Sequence, residues 1–271
     1  MVRARGDAAA PIGVFDSGLG GLTVAHAIMR RLPNESIVYF GDTARVPYGP
    51  KSPETVRRYS REIAAYLLEQ GVKAIVVACN TATAHALPAL RAELDVPVLG
   101  VVEPGARAAV RATRSGHIGV IATEGTIRSG AYERAIHEAA PSADVTAVAC
   151  PLFVPLVEEG WTDHDATRLV AEEYLGPLSR KGVDTLVLGC THYPLLKPLI
   201  GDVVGPAVRL IDSAEETAAD TERMLCEHDL RSPSGEARYR FIASDDPQQF
   251  LRLGQRFFGD TIESVEIRSL G

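Results

Sequence analysis

The sequence predicts an α/β fold of two similar parallel-sheet halves with an active site between them. Three observations carry that expectation. The stretch Gly71-Val-Lys-Ala-Ile-Val-Val-Ala-Cys79-Asn80-Thr81 returns as Gly182-Val-Asp-Thr-Leu-Val-Leu-Gly-Cys190-Thr191-His192. Pro11-Ile-Gly-Val-Phe-Asp16 is echoed by His117-Ile-Gly-Val-Ile-Ala122, and both echoes keep the same order along the chain. Short apolar runs alternate with stretches of helical spacing, the pattern of parallel strands joined by right-handed crossovers. Each repeat sets one cysteine just past the carboxyl end of an apolar strand, the edge where open α/β sheets place their ligands. The two cysteines are therefore expected to face one another across a single site.

Composition narrows the classes. At 271 residues and 46% hydrophobic, the chain can bury a sizeable core. A net charge of −7 without a basic stripe gives no expectation of nucleic acid as a partner. The sequence has no apolar run of the roughly 18 residues a membrane span needs, so no membrane association is expected. The first eleven residues lack the apolar centre of a secretory signal and are expected to form a flexible tail. Cys79, Cys150, Cys190 and Cys226 show no Cys-x-x-Cys spacing, which argues against a thiol-redox protein and for reduced thiols in the cytoplasm.

Taken in order, Ile12-Gly-Val-Phe15 is a strand, and Asp16-Ser-Gly-Leu-Gly-Gly21 is the loop after it. The glycines leave backbone amides open to an anion at the start of a helix running to about Leu32, with Leu22, Ala25, Met29 and Leu32 on one face. Thr23 stands where a dinucleotide fingerprint needs its third glycine. Ile37-Val-Tyr-Phe40 is the second strand, and the rigid loop Ala44–Pro53 holds Pro47-Tyr48-Gly49. Ser52-Pro53 opens a helix whose stripe is Val56, Tyr59, Ile63 and Leu67. A helix starts after Cys79 on small residues, and Pro88 is expected to break or kink it. Val96–Val102 is a strand, and Glu103-Pro104-Gly105 is the crossover into the second half.

There, Thr123-Glu-Gly-Thr126 takes the place of the glycine loop. A helix near Ser129–Ala139, a strand near Val145–Ala149 and a loop or short helix over Cys150–Gly160 follow. Residues 165–180 read as a helix with Leu169, Tyr174 and Leu178 in the core. After the Cys190 strand come Val208–Ile211 and a helix from Asp212-Ser213 to about His228. Arg231–Glu236 is a polar linker to a tail of strand (Tyr239–Ala243), helix (Pro247–Phe258) and strand (Ser264–Ile267). The expected domains are 11–103, rejoined by 213–271, and 104–212.

The chain has no Gly-x-Ser-x-Gly elbow, phosphate loop or His-Glu-x-x-His. Cys79, His85, Cys190 and His192 carry zinc-ligand chemistry, but their spacing matches no zinc pattern. Symmetry offers a better account. A ligand held between two equivalent thiols can lose a proton to one and gain it from the other, which inverts a stereocentre. An ordinary thiol titrates near pH 8.5, so open amides and a nearby His192 would have to favour the thiolate, with Asp16 and Glu158 carrying or orienting protons.

The motifs Gly13-Val-Phe-Asp16-Ser17-Gly-Leu-Gly-Gly21, Tyr39-Phe-Gly-Asp-Thr-Ala-Arg-Val-Pro-Tyr48-Gly49, Cys79-Asn80-Thr81-Ala-Thr and Gly189-Cys190-Thr191-His192-Tyr-Pro resemble those of the cofactor-independent aspartate/glutamate racemase superfamily, in particular its glutamate racemases. The resemblance covers residues 11–225 and carries little of the first ten residues or of the tail after Leu230. It implies two halves related by a pseudo-twofold axis, free L- and D-glutamate as substrate, no cofactor and no metal. It implies that Cys79 deprotonates D-glutamate and Cys190 L-glutamate, assisted by Asp16, His192 and Glu158, with Glu159 the adjacent alternative to Glu158. Asp16, Ser17, Tyr48, Gly49, Asn80, Thr81, Thr191 and His192 match substrate-binding positions. D-Glutamate would feed peptidoglycan synthesis in a bacterial cytoplasm, and a homodimer is the expected assembly. The lysines Lys51, Lys73, Lys181 and Lys197 all lie outside these motifs, so a Schiff-base mechanism finds no candidate. Two alternatives stay open: a racemase of a related amino acid such as aspartate, disfavoured by Thr191-His192, and a silent small-ligand-binding relative.

Overall fold

The computed structural model describes residues 7–233, 236–258 and 262–270. The first half runs β1 (Ile12–Asp16), α1 (Leu22–Arg31), β2 (Ile37–Gly41), α2 (Pro53–Glu69), β3 (Ala74–Val77), α3 (Asn80–Glu93) and β4 (Val98–Gly100). Then come α4 (Val102–Ala112), β5 (His117–Ala122), α5 (Glu124–Ser129), α6 (Ala131–Ala139), β6 (Asp144–Ala149), α7 (Phe153–Glu158), α8 (Asp165–Arg180), β7 (Thr185–Gly189), α9 (Lys197–Val204) and β8 (Arg209–Ile211). The chain closes with α10 (Ala214–Glu227), β9 (Tyr239–Ala243), α11 (Pro247–Phe258) and β10 (Glu266–Ile267).

Two parallel sheets result, ordered β10-β9-β2-β1-β3-β4 and β6-β5-β7-β8. Within the first, β2-β1-β3-β4 has the order of the whole second sheet, so the sequence repeat is also a repeat of topology. It extends to packing. A Cβ on Gly13 would meet Leu67 and Val72 at 3.2 Å, and a Cβ on Gly119 would meet Val183 at 3.0 Å and Leu178 at 3.4 Å. Leu67 and Leu178 each lie twelve residues before a cysteine, and Val72 and Val183 each lie seven before. Gly71 and Gly182, at equivalent turns into β3 and β7, both take positive φ (73° and 67°), where a side chain would strain the backbone. The central strands β1, β2, β3 and β7 are buried at every residue, which suits their largely apolar sequences to a sheet covered on both faces.

The C-terminal strand β9 pairs with β2 from Ile37↔Tyr239 to Gly41↔Ala243. Helix α10 packs in one core cluster with α1, through Ala214, Ala218 and Leu225 beside Ala25, Ile28 and Leu32. Helix α4 packs with the second sheet, Val102, Ala106 and Ala109 against Ile118, Val120 and Val187. A buried ion pair, Lys73 with Glu35, ties the start of the chain to its end: Lys73 Nζ also donates to Ala8 O at 2.6 Å, and Glu35 Oε1 accepts from the Ser232 amide at 2.7 Å.

Several expectations are corrected. Residues 7–10 are not free tail but a turn held by the Lys73 ammonium, which needs buried acceptors; residues 1–6 lie outside the described residues, as do 234–235 of the expected linker. Pro88 does not break α3, which runs on from Asn80 to Glu93 with the proline on its exposed face. The fourth strand stops at Gly100, short of the expected Val102, and the crossover at Glu103-Pro104-Gly105 is the first turn of α4, the helix that leads from β4 to β5. A first-turn proline loses no hydrogen bond, since that amide would be unpaired anyway. Thr123-Glu-Gly-Thr126 is also helical, with Thr123 as the N-cap of α5. Leu169 is 67% exposed, because the buried face of α8 is Thr167, Ala171, Leu175 and Leu178 and position 169 turns away from it.

Candidate active site

The carboxyl ends of the equivalent strands β1, β3, β5 and β7 converge between the sheets and carry Asp16, Cys79, Thr123 and Cys190 respectively. The expected site residues Asp16, Ser17, Tyr48, Cys79, Asn80, Thr81, Cys190, Thr191 and His192 are all buried there. All four cysteines are free thiols.

Cys79 is the N-cap of α3, and its Sγ accepts from the Ala82 amide at 3.5 Å and lies 3.7 Å from Ser17 Oγ. A helix start favours a thiolate. Burial and the neighbouring Asp16 carboxylate nonetheless push the Cys79 thiol well up, with only partial relief from the Ala82 and Ser17 contacts, and Cys190 adds to the rise. Cys79 is thus held as the thiol. Asp16 ends β1, and its Oδ2 accepts from the amides of Gly18 (3.3 Å) and Gly21 (2.9 Å). Two loop amides expected to face an anion are therefore taken by the chain's own carboxylate.

Cys190 has different company. Its Sγ lies 3.9 Å from His192 Nδ1, and His192 Nε2 is 3.1 Å from Glu158 Oε1. Of the adjacent pair Glu158 and Glu159, Glu158 reaches the ring. Burial works against the ring's charge, but the bonds to Cys190 and Glu158 outweigh it and lift His192 from 6.5 to about 10. The raised ring thus places a positive charge within reach of Cys190 Sγ. The side chain of Glu158, 27% exposed, also lines a cavity of about 210 Å³ walled by Pro47, Gly49, Thr123, Val154 and Pro155. It connects the buried ring with that cavity.

The two halves touch through the site itself. Thr191 Oγ1 donates to Asp16 Oδ1 at 3.5 Å, and Thr81 Oγ1 is 2.9 Å from Thr123 Oγ1. The Gly125 amide donates to Gly49 O at 2.9 Å, and His85 Nε2 lies 3.0 Å from Gly125 O. A Cβ on Gly20 would stand 2.5 Å from Thr191 Oγ1. Among the described residues no three His, Cys, Asp or Glu side chains are grouped so that they could hold a metal ion.

Some residues here escaped sequence reasoning. Thr123 and Thr126 form a hydroxyl triangle with Thr81, at 2.9, 3.2 and 3.0 Å. Their signal was present, since they occupy the stretch equivalent to the glycine loop. Tyr48 donates to Asp42, which is also held by Arg45 Nε (2.7 Å) and Ser244 Oγ (2.9 Å). Nothing in the spacing of residues 42 and 244 foretold that contact.

Comparison with known proteins matches residues 19–221 to the family described as Asp/Glu/Hydantoin racemase. A glutamate racemase of Geobacter metallireducens is 56% identical over 255 residues, covering 94% of each chain. A crystal structure of a glutamate racemase isoform from Bacillus anthracis superposes with a TM-score of 0.93 at 44% identity, covering 96% of this chain and 98% of that one. A glutamate racemase from Francisella tularensis, crystallised in complex with D-glutamate, gives 0.90 at 40% identity, covering 97% and 98%.

Proposed function

The chain belongs to the Asp/Glu/hydantoin racemase family, and from that premise we propose that it interconverts L- and D-glutamate by proton transfer between two thiols. The observation that carries the reading is the placement of Cys79 and Cys190 at equivalent strand ends on either side of one buried site. In the direction from L to D, the Cys190 thiolate beside cationic His192 takes the α-proton, and the electron pair stays on the α-carbon. The Cys79 thiol, kept protonated by burial and Asp16, then delivers its proton to the opposite face. The products are D-glutamate, a Cys190 thiol and a Cys79 thiolate, so protons balance and the reverse reaction restores the start. Asp16 serves Cys79, and His192 with Glu158 serves Cys190.

The carbanion is the hard part of this chemistry. Donors already fixed around the carboxylate stabilise it most where water is excluded. Ser17, Asn80, Thr81, Thr191 and the backbone at Tyr48-Gly49 are buried together for that task. A preference for glutamate over aspartate rests on a relative at 56% identity, and others at 50–54%, being glutamate racemases.

The proposal extends to a cytoplasmic protein that supplies D-glutamate for peptidoglycan and works as a homodimer. Among the described residues no helix is long and apolar enough to cross a membrane. Exposed Leu152 (50%), Trp161 (45%) and Leu169 (67%), on and beside α7 and α8, offer apolar surface to a second copy. Sedimentation of the protein and of Leu169→Glu tests the dimer.

The reaction is tested by incubating either enantiomer in deuterated water without pyridoxal phosphate and following optical rotation and α-deuteration. Both enantiomers are expected to racemise with deuterium at Cα, and Cys79→Ser or Cys190→Ser to abolish turnover. Full turnover in both serine variants would end the two-thiol reading.

A further inference from the structure

Tyr132, on α6 of the second half, is 1% exposed, and its hydroxyl donates to Asn80 Oδ1 in the first half at 2.7 Å. Its ring occupies a slot made by two glycines. A Cβ on Gly189 would lie 2.9 Å from Tyr132 Cε2, and one on Gly105 would lie 3.2 Å from its hydroxyl oxygen. Gly189 immediately precedes Cys190, and Asn80 immediately follows Cys79. One side chain therefore touches both cysteine-bearing turns. Burial, helped by the charges of Cys190 and Asp212, keeps the phenol protonated and so able to donate.

A primary amide has one accepting oxygen and two N–H donors on the other side of its plane. With Oδ1 committed to Tyr132, the Asn80 donors are turned the other way. We propose that Tyr132 is a positioning residue for the substrate: it locks the Asn80 amide across the two halves, so that its NH2 group faces a carboxylate of bound glutamate. The inference rests on the glutamate reading of the site and adds a residue from the second half to a binding group of the first. Because the bond spans both halves, it forms only when they are closed on each other as they are here.

Tyr132→Phe tests it, since phenylalanine fills the same glycine slot and removes one hydroxyl. Steady-state KM and kcat for both enantiomers and the thermal midpoint are measured for Tyr132→Phe, Asn80→Ala and the double variant. A freed amide loses orientation toward a charged partner, so KM is expected to rise roughly tenfold with kcat changed much less. Asn80→Ala should raise KM at least as far, and the double variant should be no worse than Asn80→Ala alone. If Asn80→Ala raises KM but Tyr132→Phe lowers only the thermal midpoint, or if the two effects add, Tyr132 is mere packing and the proposal is overturned. An unchanged KM in Asn80→Ala overturns it differently, by removing Asn80 from the binding site.

Discussion

Replacing Gly20 with alanine tests whether the two halves work in the closed arrangement. Its backbone takes no positive φ, so alanine adds one methyl group without conformational strain. That methyl carbon would lie 2.5 Å from Thr191 Oγ1 and 2.8 Å from His192 Nδ1, where ordinary contact begins at 3.4 Å. The shortfall against Thr191 is 3.4 − 2.5 = 0.9 Å. Both neighbours are buried and belong to the other half, and His192 is pinned between Cys190 and Glu158. The strain is relieved by moving Thr191 and His192, and Cys190 with them, by nearly an ångström. A displacement of about 1 Å at a reacting group costs on the order of 100-fold in rate, whereas overpacking by one methyl costs roughly 1–3 kcal/mol of stability. Gly20→Ala is therefore expected to lower kcat/KM about 100-fold while the thermal midpoint falls by only a few degrees. Polarimetry with each enantiomer, beside thermal unfolding, reads both quantities. A variant with kcat/KM within about threefold of the native value and an unchanged midpoint would refute the reasoning, because the halves would then have room between them that the structure does not show.

Two further outcomes follow from buried charge. His192 is raised from 6.5 to about 10, so its protonated ring contributes stability that is complete below pH 6.5 and lost as pH rises through about 10. The stability advantage of the native protein over His192→Asn should shrink across that window; a difference constant with pH would show that the ring is not charged in the fold. Lys73→Met leaves Glu35 buried without its cation, which costs roughly 3–5 kcal/mol and should lower the thermal midpoint by about 10 °C with KM unaltered. Recovery in Lys73→Met/Glu35→Leu would confirm the cause, and a midpoint unchanged in Lys73→Met would dismiss it.

The parts of the fold legible in the sequence were those whose signal is local. Strands such as Ile37–Gly41 and Ala74–Val77 are unbroken apolar runs, and the repeat around the two cysteines reappears as identical strand order. Misreadings fell where a residue type has two uses. Proline in a helical stretch reads as a break or kink, but α3 runs on through Pro88 to Glu93. Leu169 reads as core because leucine so often is, although the phase set by Ala171, Leu175 and Leu178 turns it outward. At the site, sequence position reached the residues beside each cysteine. It did not reach partners that meet only in three dimensions, such as Tyr132 on Asn80 or Ser244 on Asp42, which are separated by 52 and 202 residues.

The unequal surroundings of the two thiols have a thermodynamic consequence. Cys79 is shielded beside a carboxylate, and Cys190 sits beside an imidazolium. Mirror-image substrates have the same free energy in water, and kcat/KM measures the barrier from free enzyme and free substrate. For a two-thiol racemase, both directions cross the same barrier from levels of equal height, so kcat/KM must be identical for L- and D-glutamate in the native protein and in every variant. The lopsidedness of the pocket can show itself only in how each direction divides that ratio, as tighter binding with slower turnover or the reverse. A chiral protein can favour one enantiomer as a guest, but it has no power to favour one as a product.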